Sequence, residues 1–330
     1  MKIDTIEAAD GEKTFGRMKT GETHGRFPVE VPLHLVEGAE NGPTLVVQAG
    51  VSGLEIEPAA VLPKVVDEID PADVSGTLVL VPLMNTSGFE FEQVNAAWDD
   101  KNLNELGRGD PDGTVSEQMV HQYFRDVLDP ADAVVDVHTG ALWSYNRYAG
   151  VFDVGDVEAS RDLAVAIGLP QVLVGHPDDG SMAFEAASDG TAVVSAQIGG
   201  GPGLYDHRQG DMERVRNAVL NSMKHLDMID GDTEPDEDSV SVLETHTVLE
   251  PVGERGMVFI DKEKRGTHVS DGEQIGYVRH PFNGEILEEI EAPRDGVMLR
   301  GGVSWPVQPE GVTLAILGDE VETVPVGGGS

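Results

Sequence analysis

Up to about residue 228, short dense apolar runs alternate with longer stretches whose apolar positions recur at helical spacing. That alternation predicts an α/β fold. Residues 44–49, 77–81, 133–137, 171–174 and 191–196 are rich in Val and Leu and bounded by Gly, Pro or Asp, so they are predicted to be buried strands. One helix is well marked: Thr114 followed by Glu117 is a capping-box pair, and Met119, Val120, Tyr123, Phe124, Val127 and Leu128 follow at helical spacing until Pro130 stops it. Residues 58–69, 158–167 and 211–228 are predicted to be further helices, with apolar stripes that face the sheet.

The texture changes at Asp-Gly-Asp-Thr-Glu-Pro-Asp-Glu-Asp, residues 230–238, which offers almost nothing apolar to a core and is expected to be a linker. Beyond it, strand-like segments at 273–278, 284–287, 296–299 and 313–317 are separated by Gly-containing turns, the pattern of a small all-β module. The spacing of DGEQIGYV and PEGVTLAIL about EAPRDGVML resembles the barrel-sandwich of biotinyl and lipoyl carriers. No Lys stands at the turn, so no prosthetic group is expected there. The expected division is an α/β domain over 1–229, an acidic linker over 230–239 and a β domain over 240–330, with 324–330 as a frayed tail.

Charge then narrows the partners. The 330 residues include 60 acidic and 22 basic ones, a formal net charge of -38. A nucleic-acid partner wants the opposite sign and is not expected. Such self-repulsion destabilises a compact chain in dilute buffer, but in molar salt the Debye length falls to roughly 3 Å. The composition therefore suits a halophilic, cytoplasmic protein. No run of 18 apolar residues occurs, and Met1-Lys2-Ile3-Asp4 lacks the basic and apolar regions of a secretory signal, so no membrane partner is expected. With no Cys, disulfides, thiolate ligands and a Cys nucleophile are excluded together.

The candidate chemistry lies at strand ends. Ala49-Gly50-Val51-Ser52-Gly53-Leu54-Glu55 follows one predicted strand, and His138 ends another, Ala133-Val134-Val135-Asp136-Val137-His138-Thr139-Gly140. Open α/β sheets assemble their sites at such ends. By itself a single His after a strand is more often structural than a ligand.

Five segments in order change that weighting: VEGAENGPTLVVQAGVSGLE, GTLVLVPLMNTSGFE, DDKNLNE, VVDVHTG and SAQIGGGPG. Together they resemble the succinylglutamate desuccinylase/aspartoacylase family, zinc-carboxypeptidase-like amidohydrolases that remove acyl groups from amino acids and related small molecules. The resemblance implies a zinc-carboxypeptidase-like domain with a central mixed sheet flanked by helices, followed by a small C-terminal all-β domain. It also implies that Glu55 and His138 match two of three zinc ligands, with Ser52 in place of the family His. Gln197 stands where the family has the Glu that activates metal-bound water, and an amide has no proton to exchange at that pKa. Asn104 matches a substrate-binding position, but Glu105 replaces the Arg that follows it, and residues 95–98 carry no clamping Arg.

The resulting expectation is a degenerate family member, without the usual zinc-dependent deacylation, that retains a cleft for a small molecule or a partner. Zinc is expected to be weak or absent, and a homo-oligomer is compatible with the sequence. The alternative is an active metal-dependent amidohydrolase with a rebuilt metal site, in which Glu57 or Asp136 replaces the missing ligand. Other motifs carry less. The run containing Gly199, Gly200, Gly201 and Gly203 lacks the Lys of a phosphate-binding loop, and Ser52 is not in a G-x-S-x-G elbow. His121, His207, His225, His246, His268 and His280 are expected at the surface.

Overall fold

The computed structural model describes residues 1–141, 144–200, 208–250, 253–306 and 313–326, and of residues 208 and 302–306 the backbone alone. Short strands β1 (Lys2–Ile3) and β2 (Ile6–Glu7) precede a long hairpin, β3 (Glu12–Glu22) and β4 (Pro28–Glu37). Then follow β5 (Glu40–Ala49), α1 (Glu57–Glu68), β6 (Ser75–Val81), α2 (Thr86–Glu90) and α3 (Val115–Tyr123). The next elements are β7 (Ala133–His138), β8 (Ser144–Val151), α4 (Val157–Ile167), β9 (Gln171–Val174), α5 (Met182–Ser188), β10 (Ala192–Gly199) and α6 (Arg208–His225). The remaining strands are β11 (Ser239–Leu249), β12 (Met257–Ile260), β13 (His268–Val269), β14 (Gln274–Arg279), β15 (Ile286–Glu291), β16 (Gly296–Pro306) and β17 (Ala315–Pro325).

Four parallel strands in the order β6-β5-β7-β10 make the centre of a large mixed sheet. Their alternating side chains fill two cores. Val47, Val135, Val137, Val194 and Ala196 face α1, α4 and α6, meeting Leu62, Leu163, Val219 and Met223. Val46, Val134 and Val193 face the other way, against Met119, Val120 and Tyr123 of α3 and Met18 and Leu33 of the hairpin. Parallel strands covered on both faces need such unbroken aliphatic runs, which is why these were legible as sequence. The capping box at α3 forms: the Thr114 amide donates to Glu117 Oε2 at 2.7 Å, while Lys101 Nζ bonds Oε1 at 2.7 Å. Those bonds, led by Lys101, hold the Glu117 carboxyl down to about 2. Beyond Tyr123 the helix relaxes into a π-helical turn, Phe124–Leu128.

β8 runs antiparallel to β10, so its first residues lie beside the last residues of β10, with Asn146 opposite Gly199 and Tyr148 opposite Gln197. β5, β7 and β10 end at this edge, and β8 begins there. On the far side β9 pairs parallel with β8 and β11 parallel with β9, which carries the sheet into the C-terminal strands through β17 and β16. β12, β14, β15 and β16 form a small antiparallel sheet.

Two expectations change. The acidic stretch is tied down locally, since the Asp236 amide bonds the Gly168 carbonyl at 2.9 Å and the Glu234 amide bonds Asn221 Oδ1 at 2.8 Å. The tail does not fray from 324: Val324 and Pro325 belong to β17, opposite Val240 and Ser239, because pairing with β11 takes up their backbone groups. Residues 327–330 lie outside the described residues, as do Gly201, Gly203 and His207.

Candidate active site

The loop after β5 brings Ser52 and Glu55 beside the end of β7. It can fold this tightly because Gly53 lies against Gly88, where a Cβ would come within 2.1 Å of the Gly88 carbonyl carbon. Gly200, at φ 99°, closes the same edge: a Cβ there would sit 2.3 Å from the Gly140 amide nitrogen.

His138 occupies the middle of an ionic row. Its Nδ1 lies 3.3 Å from Glu55 Oε2, and its Nε2 lies 2.9 Å from Asp136 Oδ2. The same Glu55 oxygen accepts the Thr139 amide at 2.7 Å. Burial alone would lower the imidazole pKa, but the flanking carboxylates of Asp136 and Glu55 outweigh it and raise it well above its ordinary value. Asp136 is fully buried, and its Oδ1 has no hydrogen-bond partner among the described residues. Beside it, Gln48 Oε1 accepts the Tyr123 hydroxyl at 2.9 Å.

Gln197 pairs in register with His138 on the neighbouring parallel strand. Its surroundings are neutral. Ser144 Oγ donates to Asn146 Oδ1 at 3.1 Å, Asn146 Nδ2 donates to Gln197 Oε1 at 3.0 Å, and Gln197 Nε2 donates to Ser195 Oγ at 3.1 Å. Both ends of the Gln197 amide are therefore in use.

Ser52 is buried, and its contacts serve its own loop: Oγ takes the Leu54 amide at a long 3.4 Å, and its carbonyl takes the Glu55 amide at 3.1 Å. Asn104 and Glu105 lie in the single 3-10 turn Leu103–Glu105. There Glu105 Oε1 accepts Asn102 Nδ2 at 2.8 Å, and Asn104 Oδ1 is buried without a partner among the described residues. Among the described residues no hydrogen bond or ion pair joins either to Glu55, His138 or Gln197. The structure thus brings Glu55 and His138 into contact, sets Ser52 and Gln197 beside them, and leaves Asn104 and Glu105 in a turn of their own.

A catalytic zinc of the kind the resemblance implies needs three protein donors around one open position. Glu55 and His138 Nδ1 supply two. Asp136 cannot be the third, because it holds the opposite ring nitrogen, and Ser52 offers only a neutral hydroxyl. Among the described residues no three His, Asp or Glu side chains are grouped so as to hold a metal ion. The described residues do not fit a three-donor zinc site.

His176 was missed in the sequence. It is buried just after β9, with Nε2 3.1 Å from Asp178 Oδ2 and Nδ1 without a partner among the described residues. Burial opposes ionisation of Asp178, yet His176, then His138 and Arg300, hold its carboxyl well below the ordinary range. A second His–Asp pair therefore lies within electrostatic reach of His138. Gly175-His176-Pro177 after an apolar run has the same strand-to-turn pattern as His138-Thr139-Gly140 and could have signalled it. Of the other histidines, His225 and His268 are exposed and His121, His246 and His280 partly so.

Comparison with known proteins bears on the family and the fold. The sequence profile of the succinylglutamate desuccinylase/aspartoacylase catalytic domain matches residues 41–226. The chain is 26% identical over 304 residues to the N-alpha-acetyl-L-2,4-diaminobutyric acid deacetylase of Halomonas elongata, covering 90% of this chain and 87% of that one. Among solved structures it is similar to a succinylglutamate desuccinylase/aspartoacylase from Rhodobacter sphaeroides, with a TM-score of 0.83 at 21% identity over 98% of this chain and 100% of the other. It is also similar to the product-bound ectoine utilization protein EutE (DoeB) from Ruegeria pomeroyi, with a TM-score of 0.80 at 23% identity over 96% and 97% of the two chains. At these identities the structural likeness speaks for the fold.

Proposed function

The chain belongs to the succinylglutamate desuccinylase/aspartoacylase family, and on that premise we propose that it keeps the family's cleft as a binding site while lacking zinc-dependent deacylation. The observation that carries this reading is the Gln197 amide, which donates at one end and accepts at the other in a closed neutral chain. A group that activates water must take up a proton, and an amide there cannot. General-base assistance is worth roughly 10² to 10⁴ in rate, and losing a metal-binding His costs more than the roughly 10- to 100-fold cost of an outer-shell partner. Ser52 and Gln197 remove both contributions independently.

The ligand we assign is a small polar molecule of the amide class. The first to test is the carboxamide of N-alpha-acetyl-L-2,4-diaminobutyric acid, the compound for which the Halomonas relative is named, because Glu105 stands in place of an Arg that would clamp its carboxylate. Purified protein is expected to carry well under one zinc per chain by elemental analysis and to leave N-acyl amino acids intact. Ser52→His should raise zinc affinity by completing a three-donor set with Glu55 and His138. Turnover should then require Gln197→Glu as well, and carboxylate substrates should further require Glu105→Arg. Stoichiometric zinc in the unaltered protein, with turnover abolished by a chelator, would overturn this reading in favour of an active amidohydrolase with a rebuilt site.

The charge of -38 supports a high-salt cytoplasmic setting for this function. No helix among the described residues is long and apolar enough to cross a membrane. The melting temperature should fall on dialysis from molar KCl into dilute buffer. A flat response would remove the halophile reading.

A further inference from the structure

β16 pairs antiparallel with β8, Gly301 opposite Tyr145 and Gly302 opposite Ser144, so the next residue, Arg300, falls level with Asn146. Its face follows from the other ladder. Past a register shift after Met298, Arg300 stands opposite Ile316 of β17, and Ile316 packs in one apolar cluster with Tyr148, Leu173 and Leu299, so Arg300 shares the face of Tyr148. Tyr148 in turn is opposite Gln197, and Gln197 opposite His138. A cation from the C-terminal strands thus joins the row that makes the candidate site.

The loop after β9 folds back over the same face of β8. Gly150, two residues on from Tyr148, makes room for it: a Cβ there would lie 2.5 Å from His176 Cγ, and the His176 ring sits 5.9 Å from the Tyr148 ring. His176 Nε2 holds Asp178 Oδ2 at 3.1 Å, while Asp178 Oδ1 makes no hydrogen bond among the described residues and the side chain is 41% exposed. Arg300 makes no ion pair and no side-chain hydrogen bond among the described residues, and its Nε is buried. Tyr148 is buried to 1% exposure, and its hydroxyl too has no hydrogen-bond partner among the described residues. These three groups act on one another electrostatically. Burial raises the Tyr148 pKa, with Arg300 pulling it down and Asp178 up. Burial also works against the Asp178 charge, yet His176, then His138 and Arg300, keep that carboxyl ionised.

Arg300 and Asp178 are therefore opposite charges that stabilise one another across the cleft without an ion pair between them. Each keeps hydrogen-bonding capacity to spare, beside a hydroxyl with no partner. A carboxylate would answer Arg300 and be repelled by Asp178, and an ammonium would answer Asp178 and be repelled by Arg300. A neutral primary carboxamide answers both, with an oxygen that accepts and an NH2 that donates. We propose that Arg300, Tyr148 and Asp178 form the recognition end of the cleft for a primary carboxamide, its oxygen accepting from Arg300 and the Tyr148 hydroxyl and its NH2 donating to Asp178 Oδ1. This names the ligand group for the cleft proposed above to bind an amide, and rests on that reading.

The test is calorimetric titration of the full chain in KCl at matched ionic strength with three probes of one shape: N-acetyl-L-alaninamide, N-acetyl-L-alanine, and the analogue with an aminomethyl group in place of the carboxyl. The carboxamide should bind about tenfold or more tighter than either charged probe. Asp178→Asn should abolish its preference over the carboxylate, and Arg300→Gln its preference over the amine, each weakening the carboxamide by about tenfold. Tyr148→Phe should weaken it by a few-fold. A merely structural role would weaken all three probes alike and leave their order unchanged. If Arg300→Gln does not fold, the part-exposed Asp178→Asn still reads the site. No binding of any probe, a charged probe as tight as the carboxamide, or an unchanged order in folded Asp178→Asn would overturn the proposal. Zinc content and turnover test the parent reading separately, so either can fail alone.

Discussion

Two adjacent strand ends, β7 and β10, carry the candidate site in equivalent positions and solve the same burial problem in opposite ways. His138 at the end of β7 is held between two carboxylates, whereas Gln197, its register partner, is held in a chain of neutral hydroxyl and amide groups. An ionic row is sensitive to losing any member, because the charge left behind is buried and unpaired. A neutral chain is sensitive to gaining a charge. At neighbouring strand ends the same fold thus holds one buried polar side chain by charge and the other by neutral hydrogen bonds.

The largest effect should come from breaking the ionic row. His138→Ala would leave Asp136 and Glu55 with no positive charge between them, and the expected cost is about 3 to 5 kcal/mol of unfolding free energy. Equilibrium denaturation in molar KCl measures it. A loss under ~1 kcal/mol would mean that the row is not held as described.

Next in size is charging the neutral chain. Gln197→Glu keeps the acceptor that Asn146 needs but removes the donor to Ser195 and buries a carboxyl among neutral groups. Burial raises a carboxyl's folded-state pKa above its unfolded value, so the penalty is absent below about pH 4 and grows as pH rises through the window between the two values. We expect about 1 to 3 kcal/mol at pH 8, shrinking toward pH 5, by paired denaturation curves. A penalty that is independent of pH would place its cause in packing rather than charge.

These contrasts also explain what was legible beforehand. β5, β6, β7, β9 and β10 announced themselves because strands buried on both faces must be aliphatic along their length. β8 did not, because Ser144 and Asn146 face the site and Tyr145 and Arg147 face polar partners, so its first half is polar and only Tyr148–Val151 is apolar, too short and Gly-interrupted to stand out. The hairpin β3–β4 was missed for a related reason: many residues of β3 are exposed or half-exposed, which dilutes its alternation. α6 was expected at 211–228 and spans Arg208–His225, the usual uncertainty at helix ends. At the site, Glu55, His138, Ser52 and Gln197 could be named from ordered motifs. Asn146 could not, because its role arises from the pairing of β8 with β10, a long-range fact with no local signal, and His176 offered only the strand-to-turn pattern it shares with His138.

The smallest effect should be at Ser52, and its smallness is informative. The side chain is buried but among the described residues makes one long hydrogen bond, accepting the Leu54 amide at 3.4 Å, while the loop is held mainly by backbone bonds and by Gly53 against Gly88. Ser52→Ala keeps that packing and removes a weak hydrogen bond, so unfolding free energy should drop by less than about 1 kcal/mol. Bound metal should not change either, since the hydroxyl completes no donor set with Glu55 and His138. His138→Ala and Ser52→Ala together would then differ from His138→Ala alone by no more than the single Ser52 effect, because the two positions share no contact. A loss above about 2 kcal/mol, or a fall in metal content on Ser52→Ala, would make the hydroxyl a working part of the row, and the contrast between an ionic β7 end and a chemically idle preceding loop would fail.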